Sequence, residues 1–331
     1  MSGNNSNHVA PTPSGGEQPR SFSELFRTIA TNVERVIQGK TEAVDLALIC
    51  LFAGGHLLLE DVPGVGKTSL AKAVAGSISA TWKRIQFTPD VMPSDVIGVS
   101  VWNRATDTFD FRPGPVFANI VLGDEINRAS PKTQSSLLEA MEEGQVTVDG
   151  TSYTLTEPFL VIATQNPVEH EGTYPLPESQ LDRFLMRISL GYPSRHAELE
   201  ILDTHADGRR INELEPVASL AQVQAMIRAV RTVHVAPQLK EYLVSIADAT
   251  RRHPGLTLGM SPRATLSLLR AARARAAAAG RSYATPDDVK VLAEPVLGHR
   301  LGLMAETQLG APNRRQVLQD ILNSVPAPVL A

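Results

Sequence analysis

Four short runs constrain this chain more than any other feature. HLLLE (56–60), RIQFT (84–88), NIVLGD (119–124) and FLVIAT (159–164) are nearly all apolar, and stretches of helical periodicity separate them. A strand that is apolar on both sides of its pleat must be covered on both faces. The runs therefore predict a mostly parallel sheet between helical layers, from Phe22 to about Tyr192. In such sheets ligands bind at the carboxyl ends of the strands, where the informative residues of this sequence stand.

From Ser194 onward the period is helical throughout, as in Val223, Met226, Ile227 and Val230, and again in Leu239, Leu243 and Ile246. Residues 21–193 are expected to form the α/β domain and residues 194–331 a smaller all-α domain. Within the latter, Ser261 and Pro262 read as an N-cap and first-turn pair, and Thr285 with Pro286 and two acids opens another helix. Met1 to Arg20 is rich in Asn, Ser, Gly and Pro with almost nothing to bury, which predicts a disordered tail.

Charge and cysteine content exclude several classes. The balance of 31 basic against 35 acidic residues gives a formal net charge of −4, so no overall field favours nucleic acid or an anionic membrane. Cys50 is the single cysteine, which rules out a disulfide framework and a cysteine zinc site and suits a reducing cytosol. The apolar runs fall short of the ~20 residues of a membrane helix and the first residues hold no signal core, so the expected location is cytoplasmic, without membrane insertion. The 8 histidines lack metal-ligand spacing, and no GxSxG motif is present.

The stretch DVPGVGKTSL (61–70) follows the first run and opens a helical pattern. It matches the phosphate-binding pattern GxxxxGK[ST] at every position but the first, where Asp61 replaces glycine. Close backbone approach to phosphate demands Gly64 and Gly66, and both are present; the outer position tolerates a side chain if Val62 and Pro63 stiffen the exit from the strand. Pro63, Gly64, Val65, Gly66, Lys67, Thr68 and Ser69 are the expected nucleotide contacts, with Lys67 on the β and γ phosphates and Thr68 on Mg²⁺. NIVLGDEIN ends in an acidic pair at the same sheet edge. There Asp124 would hold Mg²⁺, and Glu125 would orient and deprotonate the attacking water. FLVIATQNP supplies Asn166, whose amide either hydrogen-bonds the γ-phosphate and the lytic water or forms an ordinary turn with Pro167. Gly123 is unusual inside a strand and marks a close approach.

In order, VIQGK, DVPGVGKT, GDEINRASPKTQSSLLEAMEEGQVTVDG, ATQNP, GTYPLPESQLDRF and GMSPRA resemble the MoxR family of AAA+ ATPases, from about Phe22 to the last helices. The resemblance implies an αβα nucleotide domain with a helical lid, ATP and Mg²⁺ as ligands, and a homo-oligomeric ring, usually hexameric. It also implies chaperone-like remodelling of client proteins and a partner with a von Willebrand factor A domain. By position, Val36, Ile37 and Gly39 match the segment near the adenine. Arg183 in LDRF matches the arginine finger that reaches the neighbouring subunit, the alternative being a salt bridge to Asp182 or another acid. Arg263 matches the lid arginine that senses ATP in the same subunit, and its place behind the Ser261 cap, where a helix dipole disfavours a cation, calls for a nearby anion. Arg128 is a second candidate interface contact.

VSVWNRATDTFDF (99–111) and QVTVDGTSYTL (145–155) read as hairpins that face a pore or a client, or else as structural hairpins; Trp102 is either an exposed contact or core. Three other functions compete with remodelling by ATP hydrolysis. These are an ATP-gated scaffold with little turnover, a DNA-remodelling motor, which the acidic balance disfavours, and a P-loop phosphotransferase, for which the second domain offers no acceptor pocket.

Overall fold

The computed structural model of the chain describes residues 21–166, 172–196, 198–199, 214–304 and 313–328. The expected tail, Met1 to Arg20, lies outside the described residues, as does Pro167. The four apolar runs become β1 (Leu57–Glu60), β2 (Trp82–Gln86), β5 (Ile120–Asp124) and β8 (Leu160–Gln165). A fifth strand, β9 (Met186–Ile188), is too short to stand out as an apolar run. The five pair in parallel in the order β2-β5-β8-β1-β9.

In the inner strands β1, β5 and β8 the period of two explains why both faces are apolar. The edge strand β2 buries only Ile85 and exposes Lys83, Arg84 and Gln86, so that run is less apolar than expected. Leu57, Leu59, Ile120, Leu122, Leu160 and Ile162 enter one buried cluster, shared with α1 (Phe22–Glu34), α2 (Thr41–Phe52) and α3 (Lys67–Ser77). Leu58, Val121, Val161 and Ala163 enter a second, shared with α5 (Pro131–Glu143). The sheet is thus the middle layer of three. Gly123 gives Phe87 its place in the second cluster, because a Cβ there would stand 3.1 Å from the ring.

Both predicted hairpins form. β3 (Gly98–Asn103) pairs with β4 (Thr108–Pro113) just after α4 (Pro93–Ile97), and β6 (Gln145–Val148) pairs with β7 (Thr151–Thr154) through Asp149 and Gly150, both at positive φ. Trp102 is exposed: its ring meets Phe109 edge-on at 5.0 Å, and the two are 46% and 69% accessible at the hairpin surface.

After the short helix α6 (Glu178–Leu181), the C-terminal part holds α7 (Leu220–Thr232), α8 (Pro237–Arg252), α9 (Pro262–Ala278), α10 (Pro286–Leu297) and α11 (Arg314–Ser324). A ribbon of β10 (Leu256–Leu258) and β11 (Gly302–Leu303) joins them. The predicted cap of α9 is present, with Ser261 Oγ accepting from Ala264 N at 3.0 Å. α9 packs on α1 and α2, so the helical part closes the first apolar cluster. Among the described residues no helix is long and apolar enough to cross a membrane.

Candidate active site

The phosphate-loop motif sits where its sequence context places it, between the end of β1 and the start of α3. Gly64 (φ +86°) and Gly66 (φ +97°) adopt left-handed backbone that side chains rarely enter, which is why both are glycine. Lys67 Nζ reaches back to the Asp61 carbonyl at 2.7 Å.

Asp61 is more than tolerated. Its side chain is buried, and one carboxylate oxygen accepts from Ser189 Oγ (3.0 Å), Leu190 N and Gly191 N (3.0 Å), in the chain leaving β9. The residue that breaks the consensus therefore clamps the phosphate loop to the strand beside it. Restoring the glycine with Asp61→Gly would strand three donors, a loss of about 2 kcal/mol and roughly 4–8 °C in Tm. Thermal unfolding checks this; an unchanged Tm would mean that the clamp contributes nothing.

The acidic pair and the amide join that loop. A cavity of about 380 Å³ is lined by Pro63, Gly64, Gly66, Lys67, Thr68, Ser69, Asp124, Glu125 and Asn166, together with Arg84 and Gln86. Three strand ends, of β1, β5 and β8, thus converge on one space. Asp124 accepts from Thr164 Oγ1 at 2.6 Å on one oxygen and from Arg84 Nη2 at 2.6 Å on the other. Glu125 holds a left-handed backbone (φ +58°), rare for a residue with a side chain and costing ~1–3 kcal/mol. Its carboxylate accepts from Arg128 Nη1 (3.1 Å) and Gln86 Nε2 (3.2 Å), so Arg128 pairs within its own chain.

Arg84 and Gln86 escaped the motif reading. They alternate on the edge strand β2, in register with Leu122 and Asp124, and that alternation of polar residues was the available signal. The site fits a hard cation, because Thr68 and Asp124 offer oxygen donors to one cavity and Asp124 already attracts a guanidinium there.

A second cavity of about 440 Å³ adjoins the Asp61 clamp, with Ser189 and Leu190 on one wall and Glu294 and Pro295 of α10 on another. Gly39 lines it; Ile37 is buried and Val36 partly buried in the core beneath.

The arginines stand elsewhere. A third cavity, of about 320 Å³, gathers Arg183, Arg263 and Arg270 around Glu142, beside Gly54, Gly55 and His56. Glu142 receives Arg183 Nε at 3.0 Å and also pairs with Arg263. Arg183 thus pairs with Glu142, whereas Asp182 turns to Arg300. His56 contributes no charge: burial pushes its imidazole down to about 4, Nδ1 accepts from Val161 N, and Nε2 donates to the Met141 carbonyl. Gly54, Gly55 and His56 of this cavity precede β1, whereas the phosphate loop follows it, and four strand residues separate the two ends by about 13 Å.

Arg263, expected to sense ATP in its own subunit, is held here by Glu142 and does not line the phosphate-loop cavity. The anion that its helix-terminal position called for is Glu142, and no residue is shared by the arginine cavity and the phosphate-loop cavity.

Comparison with known proteins gives this arrangement a family. Residues 56–186 match the model of the ATPase family associated with various cellular activities (AAA), and residues 248–321 match an AAA lid domain. The chain is 51% identical to the uncharacterized protein YeaC of Bacillus subtilis, over 92% of this chain and 95% of that protein. It is 39% identical to the chaperone MoxR1 of Mycobacterium tuberculosis, over 97% and 87% respectively. With the protein MoxR of Methylorubrum extorquens the identity is 31%, over 89% and 93%. A crystal structure from Cytophaga hutchinsonii, described as a candidate ATPase, superimposes with a TM-score of 0.86 at 37% identity, covering 93% of this chain and 96% of that one. A nucleotide-binding α/β domain with a helical lid, shared over almost the whole length with proteins bearing that name, makes this chain a member of the MoxR family of AAA+ ATPases.

Proposed function

We propose that the ATPase site is completed by a second copy of the chain, that copies assemble in a ring, hexameric by family habit, and that the cycle remodels client proteins. The observation that carries this reading is the split within one chain: phosphate loop and acidic pair at one end of β1, arginine cluster at the other. A triphosphate on Lys67 meets Arg84 in its own cavity, but Arg84 is engaged by Asp124. Arg183 and Arg263 line a different cavity, and on this reading they act on a neighbour.

The loop amides and Lys67 bind the β and γ phosphates, with the N-terminus of α3 aimed at them. Thr68 and Asp124 would hold Mg²⁺, which supplies neutralisation of phosphate charge. Glu125, released from Gln86 and Arg128, takes the proton of the attacking water while Asn166 positions that water. Arg183 of the neighbouring copy meets the charge that develops on the γ-phosphate, and Arg263 travels with it. The adenine is assigned to the cavity lined by Gly39 and α10, with Val36 and Ile37 supporting its floor.

The chaperone name of the mycobacterial relative and the exposed Trp102–Phe109 pair support contact with client proteins. A von Willebrand factor A domain protein is the partner class that the family reading adds, and the cytoplasm the compartment. If the site is shared, specific ATPase activity rises with protein concentration, in step with the assembled fraction measured by light scattering. A rate per subunit that stays constant down to concentrations where only monomer remains would refute a shared site.

A further inference from the structure

One buried cation has no part in that mechanism. Arg300, in the segment between α10 and β11, has a side chain only 3% exposed. Every N–H of its guanidinium finds an acceptor. Nε donates to Asp182 Oδ1 at 2.6 Å, Nη1 to the carbonyls of Leu185 (3.1 Å) and Val296, and Nη2 to those of Phe184 (2.6 Å) and Asp182 (3.1 Å). The other oxygen of Asp182 accepts from Ser261 Oγ at 3.1 Å, and Ser261 caps the helix that carries Arg263. Most of these acceptors belong to residues 182–185, the turn that presents Arg183.

Burying a guanidinium is costly, and apolar side chains of similar volume often serve packing as well or better. A fixed fork of five donors does what apolar groups cannot: it holds one turn in one orientation. The other end of the connection lies in the helical part of the chain. Glu294 and Pro295 of α10 line the cavity assigned to the adenine, and Val296, next in sequence, is gripped by Arg300.

We propose that Arg300 is a positioning residue that locks the finger turn to the lid, so that nucleotide held against α10 in one copy aims Arg183 at the triphosphate of the next. This rests on the reading of Arg183 as acting between copies. The lid is the shared element, since α10 touches the nucleotide cavity and its extension holds the finger turn. Lysine in place of Arg300 keeps the charge but presents its donors from a single nitrogen, so it cannot bridge Asp182 and the carbonyls of residues 184 and 185 together.

Arg300→Lys tests the assignment. As a homomer it should hydrolyse ATP about 10- to 100-fold more slowly, the loss expected from a finger displaced by about an ångström. Its affinity for an ATP analogue should stay within about twofold, and amides 184–186 should exchange hydrogen faster. Mixed with an excess of Glu125→Gln subunits, which have intact fingers and dead sites of their own, it should recover activity, because each of its sites then receives a sound finger. Arg183→Ala mixed in the same way is the control. Recovery of Arg183→Ala without recovery of Arg300→Lys overturns the inference, as does an unchanged homomeric rate; failure of both to recover overturns the reading of Arg183 instead. If Arg300→Lys does not fold, Asp182→Asn, which keeps the shape of the turn and weakens its carboxylate contact, carries the same expectations and the same refutations.

Discussion

Glu125→Gln binds ATP with near-normal affinity and hydrolyses it about 10²- to 10⁴-fold more slowly, whereas Lys67→Ala no longer binds nucleotide measurably. The two side chains share one cavity but meet the substrate at different stages. Glutamine keeps the shape of Glu125 and can still accept from Arg128, but it cannot take a proton, so the loss falls on the general-base step. Lys67 meets the phosphates as soon as they enter, and in this structure it already donates to the Asp61 carbonyl beside them. Its removal takes the one positive side chain of the loop from a site built for a highly charged anion. Fluorescent-nucleotide binding and steady-state phosphate release separate the two outcomes. Normal hydrolysis by both variants would mean that the chemistry lies elsewhere.

Much of this site could be read before any coordinates. Apolar runs located β1, β5 and β8 within a residue, because burial on both faces leaves little choice of residue, and the half-exposed edge strand β2 within two. The loop glycines, the acidic pair and the Ser261 cap are local signals, and local signals survive in sequence. What stayed hidden is what the fold brings together from far apart. The hydroxyl and two amides that the Asp61 carboxylate grips lie 128 to 130 residues away in sequence, so its departure from consensus looked like a tolerated defect rather than a clamp. Arg84 and Gln86 became visible only when β2 was laid beside β5. Glu142 gave no sign that it would hold both Arg183 and Arg263, which lie 80 residues apart in sequence. Arg300 lies in no motif, and its importance emerges from 115 to 118 residues of chain folding back on it.

Arg183→Ala is the second large effect. Under conditions where the copies assemble, it should bind ATP normally and lose about 10³-fold or more of its turnover, as expected when a finger that stabilises transition-state charge is removed. The fold should survive, since Arg183 is a partly exposed side chain whose visible partner, Glu142, keeps Arg263. A purely structural arginine would behave in the opposite way, with little change in rate and a modest fall in Tm from the loss of one half-exposed ion pair, worth ~1 kcal/mol or less.

The central claim is that two copies of the chain build each site, one supplying the phosphate loop, Asp124 and Glu125, the other Arg183. The most direct test mixes Arg183→Ala with Glu125→Gln, two proteins that are each nearly inactive. Shared sites predict that the mixture hydrolyses ATP at a substantial fraction of the unmodified rate, because intact Glu125 in one subunit meets intact Arg183 from its neighbour. A mixture that co-assembles and stays as inactive as its components would contradict the account.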